Sequence, residues 1–236
     1  GSVALMKAAI EGGVKRFIFA SSLMVYSDQD QPIDQSTPAR PRLGYGRAKL
    51  EAEQKLAELA AEAGVDLAVI RLPHVYGARD LLFEQIRQSR VFFPGNGRNS
   101  FAHLHVADAA RVLLAVAERG WTGTSPVADD LAADWNQFFS VVRDYYPRFR
   151  YFGVPSWRAL LGTQLWTPIR RLSRYPSLRT HDAVRGWNLN VPVQSGLLWK
   201  DLQMIPRFPS IHQGIPAVLD DSIEVRWLHP VADRMG

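Results

Sequence analysis

Tyr45 and Lys49, four residues apart in Tyr45-Gly46-Arg47-Ala48-Lys49, belong to the stretch of this chain richest in chemical content. On a helix the two side chains share one face, about one turn apart. An ammonium close to a phenol favours the phenolate and is expected to draw its pKa down from about 10. A tyrosine so tuned takes a proton from a hydroxyl, or returns one to a carbonyl, near neutral pH. A second piece, Phe19-Ala20-Ser21-Ser22-Leu23-Met24-Val25-Tyr26, is an apolar run interrupted by two serines. A serine at the C-terminal end of a parallel strand is placed to hydrogen-bond the same oxygen, because open parallel sheets bind ligands at those ends. The tyrosine–lysine spacing alone is a weak signal. With 7 tyrosines and five lysines in 236 residues, chance supplies about 0.15 such pairs. By itself the pair also reads as a surface tyrosine beside a solvated lysine.

The surrounding elements give these residues a frame. Leu5 to Ile10 reads as the end of a helix stopped at Gly12-Gly13, and Val14 to Ala20 as a short buried parallel strand. A polar, proline-bearing loop runs from Ser27 to Arg42. Tyr45 to Ala63, dominated by alanine, leucine, glutamate and lysine, predicts a helix capped by Gly64. Asp66 to Ile70 is a second buried strand. Helix, strand, helix, strand with short connections predicts a parallel α/β sheet. Beyond Gly77 the pattern loosens: a turn at Pro94-Gly95-Asn96-Gly97, a strand from Phe101 to His105, and a helix from Val106 to Glu118. A strand over Ser125 to Ala128 and a helix over Trp135 to Tyr146 follow. From Pro147 prolines recur and elements shorten, which suggests a smaller, irregular second lobe, and the expected division is 1–125 and 126–236.

Composition narrows the function classes. The apolar share of 47% and charged share of 22% are ordinary for a globular domain. No run of 18 or more apolar residues exists to span a bilayer, and Gly1 to Lys7 lacks the pattern of a signal peptide. With zero cysteines there are no disulfides, thiolate metal sites or cysteine nucleophiles. That fits a reducing compartment, and a cytoplasmic location is expected. The net charge of +5 comes mainly from arginines spread loosely after Arg143, a solvated basic face rather than a nucleic-acid arm. His103 and His105 share a strand face as two metal ligands do, but no third ligand accompanies them, so no metal is expected. Without a Gly-x-Ser-x-Gly elbow, Ser22 is a poor hydrolase nucleophile. Pro94 to Gly97 lacks the lysine of a phosphate loop.

Four motifs in order resemble the extended short-chain dehydrogenase/reductase family. They are Ser21-Ser22-Leu23-Met24-Val25-Tyr26, Tyr45-x-x-x-Lys49, Arg71-Leu72-Pro73-His74-Val75-Tyr76-Gly77 and His105-Val106-Ala107-Asp108. The resemblance spans roughly residues 1 to 215 and implies a doubly wound parallel, Rossmann-type sheet with a smaller, irregular α/β substrate lobe. It implies Ser22, Tyr45 and Lys49 as the catalytic set, Ser22 donating to the substrate oxygen and Tyr45 acting as general acid/base. Lys49 would tune Tyr45 and contact the nicotinamide ribose, with Ala20, Leu72 and Pro73 beside the nicotinamide. Leu23, Met24 and His74 would face the substrate. The implied activity is nicotinamide-dependent oxidation, reduction or epimerisation at a secondary alcohol or ketone, with NAD or NADP as cofactor, NAD favoured. A small-molecule substrate and a homodimer are the implied partners.

The chain departs from that pattern in places. No Gly-x-x-Gly-x-x-Gly turn occurs, so the pyrophosphate site expected at the first helix N-terminus is absent from the sequence. The expectation is either a piece of a longer enzyme or a chain that has lost its adenine-binding half and serves as a non-catalytic binding or scaffold protein. Leu23 and Met24 stand where family dehydratases carry Asp-Glu, and His74 where nucleotide-sugar epimerases usually carry asparagine, so a lipophilic alcohol is expected over a sugar nucleotide. Arg98, Arg170, Arg171 and Arg174 are the cations that argue the other way. Val154 to Leu178, with Gly196-Leu197-Leu198-Trp199, resembles the second lobe of the 3β-hydroxysteroid dehydrogenase-like branch. There Trp157, Leu160, Leu161, Leu165, Ile169 and Leu172 share a helical face, with Pro168 interrupting it. Two readings stand for that face: a lid or membrane-surface contact, or ordinary packing on the core.

Overall fold

A computed structural model describes residues 1–170 and 181–224. The elements are α1 (Ser2–Glu11), β1 (Arg16–Ser22), α2 (Gly44–Ala63), β2 (Asp66–Leu72), β3 (His74–Tyr76), α3 (Leu81–Arg87) and β4 (Arg90–Pro94). Then come β5 (Ser100–Phe101), β6 (His103–His105), α4 (Val106–Arg119), β7 (Gly123–Pro126), β8 (Ala133–Asp134) and α5 (Trp135–Tyr145). The last elements are β9 (Arg150–Val154), α6 (Ser156–Arg170), α7 (His181–Gly186), α8 (Leu197–Asp201) and α9 (Ile211–Glu224).

The central sheet is parallel, with β2 between β1 and β7. Its β1–β2 register sets Ser21 beside Arg71 and Ser22 beside Leu72. Both faces are covered. Met6 of α1 and Leu56 and Ala60 of α2 pack with Phe19 and Val69 on one side. Ala109, Val112 and Val116 of α4, with Leu198 and Trp199 of α8, pack on Ala68 and Ile70 on the other. A parallel sheet with helices on both faces has the Rossmann-type, doubly wound architecture. Gly64 ends α2 at φ 63° and Gly120 ends α4 at φ 68°, the left-handed conformation that a side chain resists. Asp134 and Gln137 form a capping box at the start of α5.

The expected strand from Phe101 to His105 is two strands. It breaks at Ala102: β5 pairs antiparallel with β8, whereas β6 pairs parallel with β3. β3, α3, β4 and β9 lay outside the sequence expectation. β4 pairs with β9, so this lobe draws strands from both sides of residue 125. Its core is aromatic, with Phe93, Trp135, Phe138, Phe139 and Phe149 all buried. On α6 the apolar face read from the sequence is not uniformly covered, since Trp157 is 59% and Leu161 52% exposed. Leu165, Pro168, Ile169 and Arg170 lie outside the described side chains, and Arg171, Leu172, Arg174 and Leu178 outside the described residues. Among the described residues no helix is long and apolar enough to cross a membrane, and no group of three or more His, Cys, Asp or Glu side chains suits a metal.

Candidate active site

The site forms where β1 and β2 end. After Ser22 the backbone leaves the sheet in a single 3-10 turn, Leu23 to Val25, and the Ser22 hydroxyl accepts from the Met24 N–H at 3.2 Å. That leaves the Ser22 hydroxyl proton free to be donated. The first turn of α2 lies directly against this turn. A Cβ at Gly46 would stand 1.9 Å from the Met24 carbonyl oxygen, so only glycine allows the approach. The closeness carries Tyr45 to the mouth of a cavity of about 270 Å³.

Ser22, Leu23, Met24, Tyr45, Leu72, Pro73 and His74 all line that cavity. Lys49 and Ala20 sit just outside it: the Lys49 ammonium donates to the Ala20 carbonyl at 2.8 Å. It also lies 4.9 Å from the Phe19 ring centre and 5.8 Å from that of Tyr45. Burial lowers the Lys49 pKa, the nearby Glu53 carboxylate opposing it. Tyr45 corrects one sequence expectation. Its pKa is raised, because partial burial of the phenol disfavours the phenolate. At neutral pH Tyr45 therefore carries its proton.

Beneath the site runs a buried polar network. Arg71 pairs with Glu53 at 2.6 Å and donates to the Tyr26 hydroxyl at 2.7 Å. Ser21 donates to the other Glu53 oxygen. Two of the motifs read from the sequence are thus tied to α2 by one carboxylate. Glu53 was missed by sequence reasoning, although a signal existed: it follows Lys49 by four residues, continuing the face of Tyr45 and Lys49.

The far wall is less sequence-local. His74 Nδ1 lies 3.0 Å from Nδ1 of His103, and His74 Nε2 lies 3.3 Å from Asp80. One of the two histidines must donate across the shorter contact. His103 is fully buried, and desolvation together with His74 holds its pKa well below the ordinary histidine value. His103 is therefore neutral. Asp182, from α7, accepts from the Tyr45 N–H at 3.2 Å and so caps the N-terminus of α2 from 137 residues away. No local pattern announces that contact. Among the described residues the cavity lining includes neither lysine nor arginine, and Arg98 is exposed.

Comparison with known proteins adds lineage. A UDP-glucose 4-epimerase of Vibrio cholerae is 40% identical over 80 residues, covering 33% of this chain and 24% of that protein. A 4-hydroxy-2-methyl-3-oxo-4-farnesyl-3,4-dihydroquinoline-1-oxide ketoreductase of Stigmatella aurantiaca is 27% identical over 195 residues, covering 76% and 58%. The matched stretches make up only 24–58% of the length of such relatives. The structure of MoeE5 with UDP-glucuronic acid and NAD superposes with a TM-score of 0.74 at 20% identity, covering 95% of this chain and 70% of that one. At that identity the likeness speaks for the Rossmann-type fold. Residues 1–127, more than half of the chain, match one family's sequence pattern directly, and the chain belongs to the NAD dependent epimerase/dehydratase family.

Proposed function

We propose that this chain carries the catalytic site of a nicotinamide-dependent oxidoreductase or epimerase acting on a secondary alcohol or ketone. The observation that carries the reading is the meeting of Ser22 and Tyr45 on one cavity, with Lys49 fixed at the adjoining strand end. The surroundings fit the nicotinamide half of the cofactor. Ala20 is exposed at the end of β1, Leu72 and Pro73 offer an apolar floor, and two ammonium protons of Lys49 remain for ribose hydroxyls. NAD is the cofactor that the family description favours. Bound there, it supplies the hydride acceptor or donor.

The remaining work belongs to the chain. Ser22, its oxygen already accepting from Met24, donates a hydrogen bond to the substrate oxygen. Tyr45, protonated at neutral pH, delivers its proton to that oxygen as a carbonyl is reduced; in the reverse direction its phenolate, the minor form at neutral pH, takes the proton from the hydroxyl. Leu23, Met24 and His74 form the substrate wall, with Trp135 and Leu82 completing an apolar lining. A charged pyrophosphate would be costly to bury there without cations, whereas apolar surface gains about 25 cal/mol per Å². That wall favours a lipophilic alcohol or ketone. The named relatives include a ketoreductase of a farnesyl-bearing compound as well as sugar-nucleotide epimerases. In protein expressed from the complete reading frame, Tyr45→Phe is expected to lower turnover by about 10²–10⁴. Unchanged turnover would refute the assignment.

A further inference from the structure

Trp187 lines the catalytic cavity on one side and, on the other, a second space of about 340 Å³ between β4 and α6. Its ring packs against Trp135 at 4.5 Å and Phe93 at 5.2 Å between centres. The backbone behind it is pinned, since Asn99 donates to the Trp187 and Leu189 carbonyls at 2.9 and 2.7 Å. Asn188 donates to the Pro94 carbonyl at 2.6 Å. One aromatic side chain therefore separates the two spaces, and the second is larger than the first.

The second space is lined mainly by apolar residues, with Gln85 and Thr163 its polar members. Val91, Phe92 and Pro94 of β4 face Ala159 and Gly162 of α6 across it. A Cβ placed on Gly162 would meet no heavy atom within 4 Å, so this side of α6 looks onto open volume rather than onto packed core. No lysine, arginine, aspartate or glutamate lines the groove among the described residues. A groove without a charged lining residue has no cation for a phosphate, and its aliphatic and aromatic members gain free energy by covering hydrocarbon.

We propose that the groove between β4 and α6 is the tail subsite of the catalytic cavity, taking the hydrocarbon chain of a substrate whose secondary alcohol or ketone lies at Ser22 and Tyr45, with Trp187 at the junction. The proposal rests on the catalytic reading and adds the substrate class: an elongated, lipophilic carbinol or ketone with its reactive carbon near one end. Its place next to the cavity, across the one wall residue Trp187, and the absence of cations in both linings among the described residues are what single out this occupant.

The test is binding of the homologous 2-alkanols, from 2-butanol to 2-dodecanol, measured by calorimetry on the protein from its complete reading frame with NAD present. Affinity is expected to rise about fourfold per added methylene, the factor that corresponds to about 0.8 kcal/mol per buried CH₂. In Gly162→Phe, which fills the groove at a position with room for a side chain, short alkanols should bind as before and long ones should lose the gain. A thermal melt confirms that this variant is folded. Equal chain-length dependence in Gly162→Phe and the parent, or a parent affinity that stops rising with the shortest members, would overturn the proposal. Repeating the series in Tyr45→Phe separates the two readings. Retained chain-length dependence alongside unimpaired turnover would remove the catalytic assignment and leave the subsite standing. Loss of turnover with no dependence in either protein would do the reverse.

Discussion

At Glu53 three side chains from different elements converge: Ser21 from β1, Arg71 from β2 and, through Arg71, Tyr26 from the turn beyond β1. The motif residues were legible because their types and spacing are local. Their partner was less so, because its role appears only when β1 and β2 lie side by side. Tyr45 teaches a similar lesson about charge. Spacing alone announced a lysine-tuned phenol, but proximity along a helix does not decide where an ammonium spends its hydrogen bonds, and burial raises the phenol instead. Asp129 offers a cleaner test of burial. It is 3% exposed, one carboxyl oxygen has no hydrogen-bond partner, and desolvation, aided by Asp130, pushes its pKa from 3.8 up to about 8. The folded state thus keeps a proton that the unfolded state loses above about pH 4. Stability should fall as pH rises from about 4 to about 8, by up to about 1.4 kcal/mol per pH unit. Asp129→Asn, followed by thermal melts across that range, should flatten this slope and raise the melting temperature at the alkaline end. An unaltered slope in the variant would show that Asp129 titrates normally in the fold.

Among the elements, α2 was the most legible because its composition, its length and Gly64 all agree. Its position was not. The helix is set by Gly46 against the Met24 carbonyl and by Asp182 reaching over from α7, both contacts between distant parts of the chain. Short strands suffered for a related reason. β4 and β9 carry Arg90, Pro94, Arg150 and Gly153, so neither shows an apolar alternation, and each is a strand only because the other pairs with it. The strand over Phe101 to His105 looked continuous because its residue types suit a sheet. Its two halves answer to different partners, β8 and β3. The role of Gly46 is open to direct test. In Gly46→Ala the new methyl collides with backbone, so the first turn of α2 must move off the Ser22–Val25 turn. The expected cost is about 1–3 kcal/mol in stability, with a drop in turnover larger than the change in KM. A variant with parental melting temperature and turnover would contradict this account of how Tyr45 is positioned.

For the molecule as a whole, the sequence conveyed the parallel sheet and the four motifs, and the resemblance they carry implied the helices on both faces. What it left open was the lobe built from β4, β9, α6 and the aromatic core around Phe138, which reaches the catalytic cavity through Phe101, Trp135 and Trp187. Long-range pairing and aromatic packing decide its shape, and neither has a period that a sequence displays. The central claim is that Ser22, Tyr45 and Lys49 serve hydride transfer at a secondary carbinol carbon. The most direct measurement uses protein from the complete reading frame, NAD and 2-decanol carrying deuterium at the carbinol carbon. Mass analysis of the recovered nicotinamide in a single turnover then reads the transfer. The account predicts deuterium on the nicotinamide ring with the parent protein, and a rate of appearance about 10²–10⁴ lower with Tyr45→Phe. Conversion of the alcohol without deuterium reaching the nicotinamide, or equal rates in the two proteins, would contradict it.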